Sequence, residues 1–331
     1  MRGLKFMGNS KVELVELPDP KPGEGDVLVK VKASAICGSE MGRYRSPEPM
    51  EGNPGHEVMG VIADPNGSKR FREGDRVGVF TIQGCGKCFW CLQGKPDFCA
   101  NAGGFPNGHS EFVVSKEMWL HPLSDDIDDA TGVLLAGDGL GVPCGASTRA
   151  GVVAGDITCV FGVGPVGLGM TLVQTFIGAK VIAVDINPHR LNLASEMGAW
   201  KTINSAKLHD LKSVLLDLTN NLGPNKCFEC SGRQDTLDVA LSVTIPEGIV
   251  VVIGHGEQKI NPQQLIFRKN MRLMGNWLCH FSDYDNMLRM LRNGLQATRL
   301  VTNRFPLEQA DEAYSRFSQG LEGKVILTQQ K

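Results

Sequence analysis

Apolar residues along the chain change their spacing about halfway through, and that change divides it. Over residues 1–80 the apolar positions fall in short runs, VELVELPDP, VLVKVKAS and EVMGVIAD, separated by Pro and Gly. Runs of this length bounded by turn residues predict β-strands, so the first part reads as β-rich. From about Gly145 the runs become continuous: ITCVFGVG, KVIAVDIN and GIVVVIGHG. Between the first two lies VGLGMTLVQTFIGA, of helical length and spacing. Strands alternating with helices predict βαβ units on a parallel sheet covered on both faces. Beyond Cys279, DYDNMLRMLRNG and PLEQADEAYSRFSQG read as helices before a last strand, KVILTQQ.

Composition adds a question to this pattern. With 331 residues, 42% hydrophobic and 21% charged, the chain suits two globular domains rather than a disordered or fibrous polymer. A net charge of -2 gives no basic excess for nucleic acid or anionic lipid. No stretch approaches the 18 or so apolar residues of a membrane span, and no apolar core follows MRGLKFMG as in a secretory signal. The expected setting is therefore a reducing cytoplasm, with no membrane partner. Two counts stand out there, 40 glycines and ten cysteines. In a reducing compartment cysteines serve as metal ligands or core residues more often than as disulfides.

Four of the ten answer by position. Cys85, Cys88, Cys91 and Cys99 form GCGKCFWCLQGKPDFC, a C-x2-C-x2-C-x7-C array in a glycine-rich loop spanning residues 84–100. Four thiolates at such spacing suit a closed tetrahedral zinc, which is structural because it leaves no open position. The spacing does not follow the ferredoxin iron–sulfur runs. Cys37 ends one predicted strand and His56 precedes the next; two ligands alone make only a weak case for a second metal.

The third signal is GVGPVG, with Gly162, Gly164 and Gly167 in G-x-G-x-x-G order between a strand and a helix that opens on Pro165 and Val166. Such a turn lets the backbone approach a pyrophosphate at the helix N-terminus. Asp185 ends the second strand 21 residues after Gly164, the position of a carboxylate that binds the ribose 2′-hydroxyl and repels a 2′-phosphate. NAD is thus expected over NADP, with His189 and Arg190 nearby keeping NADP in view.

Taken together, C…GHE, the four-Cys loop, GVGPVG, FECSG, GIVVVIGHG and PLEQADEAY resemble the zinc-dependent alcohol and polyol dehydrogenases, the zinc branch of the medium-chain dehydrogenase/reductase family, over essentially the whole chain. The resemblance implies an α/β protein: a GroES-like β-rich catalytic domain, residues 1–143 and 280–331, plus a Rossmann doubly wound parallel-sheet cofactor domain, residues 144–279. It implies a catalytic zinc on Cys37 and His56 with Glu57 beside it, and a second, structural zinc on the four cysteines. Ile253 and Gly254 fall at the nicotinamide end of the cofactor. Ser39 matches the hydroxyl that relays the substrate proton, while the next relay histidine is replaced by Gly42. The third catalytic ligand departs from the commonest pattern: LLAGDGLGVPCGA aligns Asp138 with it, and Cys144 competes.

A carboxylate there and the CGSE segment lean toward the sorbitol and threonine dehydrogenase branch. The implied reaction is hydride transfer between NAD and a secondary alcohol: a polyol, sugar alcohol, cyclitol, amino alcohol or simple secondary alcohol. A zinc-free quinone or enoyl reductase of the same fold and a non-catalytic NAD-binding protein are the alternatives. A homodimer or homotetramer is implied by resemblance alone. Among the remaining candidates, Cys159 and Cys279 read as strand residues and Cys227 with Cys230 as core near a strand end. His109 reads as a surface or structural residue, and Tyr44 and Phe105 as possible pocket walls.

Overall fold

The structure is a computed structural model that describes residues 1–104 and 107–329. Its chain forms two compact units, Met1–Gly141 with His280–Lys331, and Val142–Cys279.

The first unit is built on a seven-stranded sheet. Its order is Val301–Pro306, Lys324–Thr328, Asp26–Ile36, Glu57–Asp64, Arg76–Val79 and Leu120–Pro122, with Phe112–Lys116 also paired to Asp26–Ile36. Along Asp26–Ile36 the valines at 27, 29 and 31 are buried in alternation, as one core-facing side of a strand requires. From Ala33 to Ile36 every residue is buried, because this end of the strand is paired on both sides and covered on both faces. Register decides what meets there: Ala35 lies opposite Glu57, and Ile36 opposite Val325. The strand end that delivers Cys37 is therefore flanked by the start of one strand, carrying His56 and Glu57, and the start of another, carrying Lys324.

The second unit is a six-stranded, wholly parallel sheet in the order Lys201–Asn204, Lys180–Asp185, Ile157–Phe161, Lys226–Glu229, Ile249–Val252 and Arg272–Gly275. This is the 3-2-1-4-5-6 order of a dinucleotide-binding sheet. Its strands are nearly all apolar because helices cover both faces; Cys159, Ile182, Cys227 and Val250 are fully buried. The expected helix is found at Pro165–Ile177, ending on Gly178 in a left-handed conformation (φ 102°) that satisfies the last carbonyls.

Two helices the apolar pattern did not single out, Asp129–Ala136 and Asp138–Arg149, precede the second unit's first strand. Asp128 caps the first of them through the Thr131 amide. Among the described residues, no helix is long and apolar enough to cross a membrane.

Candidate functional site

Cys37, His56, Glu57 and Asp138 converge, with one potential donor atom of each lying within 4.8 Å of the others. Asp138 opens its helix, and its Oδ2 is 3.3 Å from His56 Nε2 and 3.5 Å from Cys37 Sγ. Glycines flank it for a steric reason. A Cβ on Gly137 would come within 2.4 Å of Glu57 Oε2, and one on Gly139 within 2.8 Å of Lys324 Cε. The AGDGLG segment is thus the shape that lets a carboxylate enter a space already holding Glu57 and Lys324.

Electrostatics favour a cation at this point. Burial opposes ionisation of Asp138, yet its hydrogen bond and charge interaction with His56 hold the carboxyl below its usual range. Burial likewise opposes protonation of His56, but Asp138 and Cys37 outweigh it and raise the imidazole's affinity for a proton. Lys324 supplies a fixed positive charge: it is ion-paired to Glu57 and donates to the Ile36 carbonyl at 3.3 Å. Glu57 Oε2 is buried and has no hydrogen-bond partner among the described residues. A soft thiolate, an imidazole and a carboxylate match the donor set of a catalytic zinc with three protein ligands. The unpartnered Glu57 oxygen is an additional donor beside them.

The four-cysteine loop gathers the Sγ atoms of Cys85, Cys88, Cys91 and Cys99 within 4.8 Å of one another. None of the ten cysteines is in a disulfide. Backbone N–H groups of Lys87 and Cys88 bring the Cys85 thiol down to about 6, while burial pushes Cys91 up to about 12. Four sulfurs with no disulfide between them suit a closed tetrahedral metal. Gly84 is required here, since a Cβ would fall 2.4 Å from Cys91 Sγ.

In the second unit Gly162 adopts φ 84°, and a Cβ on Gly167 would sit 2.0 Å from the Gly162 carbonyl oxygen. The helix can begin this close to the strand only with those two glycines. Asp185, 7% exposed, accepts the Val163 amide at 2.8 Å and the Asn187 amide at 2.9 Å, one on each carboxylate oxygen. Both contacts fix its direction beside the turn. The Arg190 guanidinium lies about 4.0 Å from where a Gly164 Cβ would be. The amides of Ile253 and Gly254 both donate to the Glu229 carbonyl, at 2.8 and 2.9 Å, which aligns that loop with Ser231 and Gly232.

Comparison with known proteins fits this geometry. Residues 23–125 match the alcohol dehydrogenase GroES-like domain, and residues 165–293 match the zinc-binding dehydrogenase family. An uncharacterized zinc-type alcohol dehydrogenase-like protein of Escherichia coli (strain K12) is 32% identical, covering 97% of this chain and 96% of its own. The chain belongs to the zinc-type alcohol dehydrogenase family. This dehydrogenase is also 29% identical to the L-threonine 3-dehydrogenase of Anaeromyxobacter sp. (strain Fw109-5), over 94% of each chain. It superposes on the alcohol dehydrogenase TADH from Thermus sp. ATN1 with a TM-score of 0.89 at 26% identity over the whole of both chains. It is an oxidoreductase that exchanges hydride between an alcohol and a nicotinamide dinucleotide, with zinc as its metal.

Several single-residue expectations for the dehydrogenase change. Cys279 is not in a strand but in the irregular segment after Arg272–Gly275, where it is buried. Tyr44 does not line a pocket: it is 3% exposed and packs against Phe6 and Tyr314 in an apolar cluster. Phe105 lies outside the described residues. His109, read as surface or structural, takes the structural alternative: it is completely buried. Cys159 and Cys227 are neighbours on paired strands of the core, and Cys230 follows the second of them. Cys144 is buried in the second unit and is not among the residues gathered around Cys37. Ser39 is exposed in the turn Gly38–Glu40, two residues past Cys37.

Sequence reasoning missed Lys324 and Glu40. A signal existed for each: Lys324 abuts the apolar run VILT and Glu40 closes the turn after Cys37, and a charge pressed against a core segment needs a partner.

Proposed function

We propose that the chain is an NAD-dependent dehydrogenase of secondary alcohols, in which Cys37, His56 and Asp138 hold a catalytic zinc with Glu57 beside it, and Cys85, Cys88, Cys91 and Cys99 hold a structural one. The observation that carries this reading is the convergence of Cys37, His56, Glu57 and Asp138 within 4.8 Å, separate from the four-cysteine cluster. When bound, zinc supplies Lewis-acid polarisation of the alcohol oxygen and NAD the acceptor for hydride. The rest of the work belongs to the chain. Asp138 carries the negative charge that offsets the metal, and Glu57 with Lys324 keeps the surrounding charge balanced. The exposed Ser39 hydroxyl would accept the substrate proton while giving up its own to solvent.

In the second unit, Gly162, Gly164, Pro165, Val166 and Gly167 cradle the pyrophosphate at a helix N-terminus. Asp185, held by two backbone amides, takes the adenosine ribose and disfavours a 2′-phosphate; Arg190 flanks it. Ile253 and Gly254 lie at the nicotinamide end. The functional division is a catalytic part, 1–143 and 280–331, and a cofactor part, 144–279. Compact units that meet between Gly141 and Val142 and between Cys279 and His280 support it.

For substrate, the reading favours polyols, sugar alcohols, cyclitols and amino alcohols, and similarity to L-threonine 3-dehydrogenases, named for a substrate whose 3-hydroxyl is secondary, supports it. A homodimer or homotetramer in the cytoplasm completes the reading, the compartment being supported by ten cysteines without a disulfide. The test is a panel of secondary alcohols with NAD followed by NADH absorbance, alongside zinc analysis. Turnover of at least one class with two zincs per chain is expected. No turnover across the panel, or a single zinc, would overturn the reading.

A further inference from the structure

His109 occupies an unusual place. Its side chain is completely buried, with Ser34 Oγ 2.8 Å from Nδ1 and Glu40 Oε2 3.3 Å from Nε2. A neutral imidazole satisfies both contacts, donating from Nε2–H to the carboxylate and accepting the serine hydroxyl at Nδ1. The same Glu40 oxygen accepts the Tyr314 hydroxyl at 2.5 Å. Its other oxygen, Oε1, is buried without a hydrogen-bond partner among the described residues and lies 3.6 Å from His56 Nδ1, whose own hydrogen-bond partner is the Pro54 carbonyl at 3.0 Å. His56 Nε2 faces Asp138 on the opposite edge of the ring.

The backbone reinforces this alignment. A Cβ on Gly55 would stand 2.5 Å from His109 Cδ2, so the imidazole rests directly on the residue before His56. Asn53 Oδ1 accepts the amides of both His109 and Gly55, at 3.0 and 3.1 Å, and the Gly108 amide donates to the Gly55 carbonyl at 3.0 Å. Segment 53–56 is thereby stapled to segment 107–109.

We propose that His109 is a positioning residue for the metal site: by holding Glu40 Oε2 it keeps the Glu40 Oε1 charge beside His56 Nδ1, where it reinforces the hydrogen bond from that edge to the Pro54 carbonyl and limits rotation of the His56 ring. The inference rests on the reading of Cys37, His56 and Asp138 as zinc ligands. Partners of a ligating imidazole set its orientation and tautomer, and their loss typically costs about 10–100-fold in metal affinity. His109 sits one step further out and acts through Glu40.

The test is competition of zinc ion against a chromogenic chelator on the metal-stripped full chain, with the four-cysteine site as internal reference. The proteins are the parent, His109→Phe, His109→Gln, Glu40→Gln and the His109→Phe/Glu40→Gln double variant. Expected is two zincs in the parent, and about 10-fold or greater weakening of one site only in His109→Phe. His109→Gln, whose amide can still donate to Glu40, recovers most of it. On the Glu40→Gln background His109→Phe adds less than about twofold, the non-additivity of residues acting in series. Unchanged affinity in His109→Phe, or an equal loss on both backgrounds, overturns the inference while leaving the zinc reading intact. A parent that binds one zinc overturns the zinc reading and this inference with it. If circular dichroism shows that His109→Phe does not fold, His109→Asn, which reaches Ser34 but not Glu40, takes its place with the same expected loss; unchanged affinity there overturns the inference.

Discussion

Lys324 and Glu57 form an ion pair whose side chains are 1% and 0% exposed, at the starts of two strands that flank the end of a third. Burial alone would push the Lys324 ammonium toward neutrality; Glu57, Cys37 and Asp138 outweigh it and hold it charged. Lys324→Met should therefore leave Glu57 as an uncompensated buried carboxylate and cost about 3–5 kcal/mol. Pairing it with Glu57→Gln should return much of that stability. Urea unfolding of the single and double variants measures both, and additive losses would contradict a direct pair.

Asp138 and Cys144 are separable by metal content. Asp138→Ala should retain one zinc per chain, that of the four-cysteine site, with alcohol oxidation falling to background. Cys144→Ser should keep two zincs and most of its activity. Elemental analysis of the two variants decides between the residues, and the reverse pattern would move the third ligand to Cys144.

Glycine at 137 is required by its neighbour rather than by its backbone. Gly137→Ala places a methyl 2.4 Å from Glu57 Oε2, and overpacking of this kind costs about 1–3 kcal/mol. Gly42→Ala is the matched control, because a Cβ there meets nothing within 4 Å. Thermal melts should show a lower midpoint for the first and no loss for the second.

The Asp185 carboxylate is held by two amides and has further lone pairs to offer. Asp185→Asn preserves its shape but removes the charge. We expect KM for NAD to rise about tenfold, the equivalent of ~1.4 kcal/mol, and the preference for NAD over NADP to narrow. Initial rates with both cofactors give the ratio.

Thiol reactivity in the four-cysteine loop should be uneven once metal is removed. Cys85, brought down to about 6, is mostly thiolate at pH 7.5, whereas Cys91, pushed up to about 12, is almost wholly protonated. Alkylation at Cys85 should slow only as the pH drops below about 6. Mass spectrometry of iodoacetamide-treated protein should find Cys85 labelled well before Cys91; equal rates would mean that the loop loses this geometry without metal.

Much of this was legible in the residues because it is local. A strand, a glycine turn and a helix in succession need no distant information, and neither do four cysteines in one loop. Asp138 was reachable only through resemblance, since nothing within 80 residues of it marks a carboxylate as the neighbour of His56. Tyr44 and His109 show the limit. Whether an aromatic residue faces a pocket or a core, and whether a histidine is exposed, depends on partners such as Tyr314 that lie far along the chain. Lys324 was missed for the same reason, and the strand register that brings it to Glu57 joins residues 267 apart.

That separation also orders events during synthesis. The second unit is one continuous stretch whose sheet can be completed while the chain is still growing. The first unit cannot: its strand Lys324–Thr328 follows the whole second unit in sequence and slots beside Asp26–Ile36. Until it arrives, Glu57 lacks its lysine partner. The lysine that balances the metal site is therefore encoded beyond the whole nucleotide-binding stretch, so the site's charge balance depends on a pairing that must span that stretch.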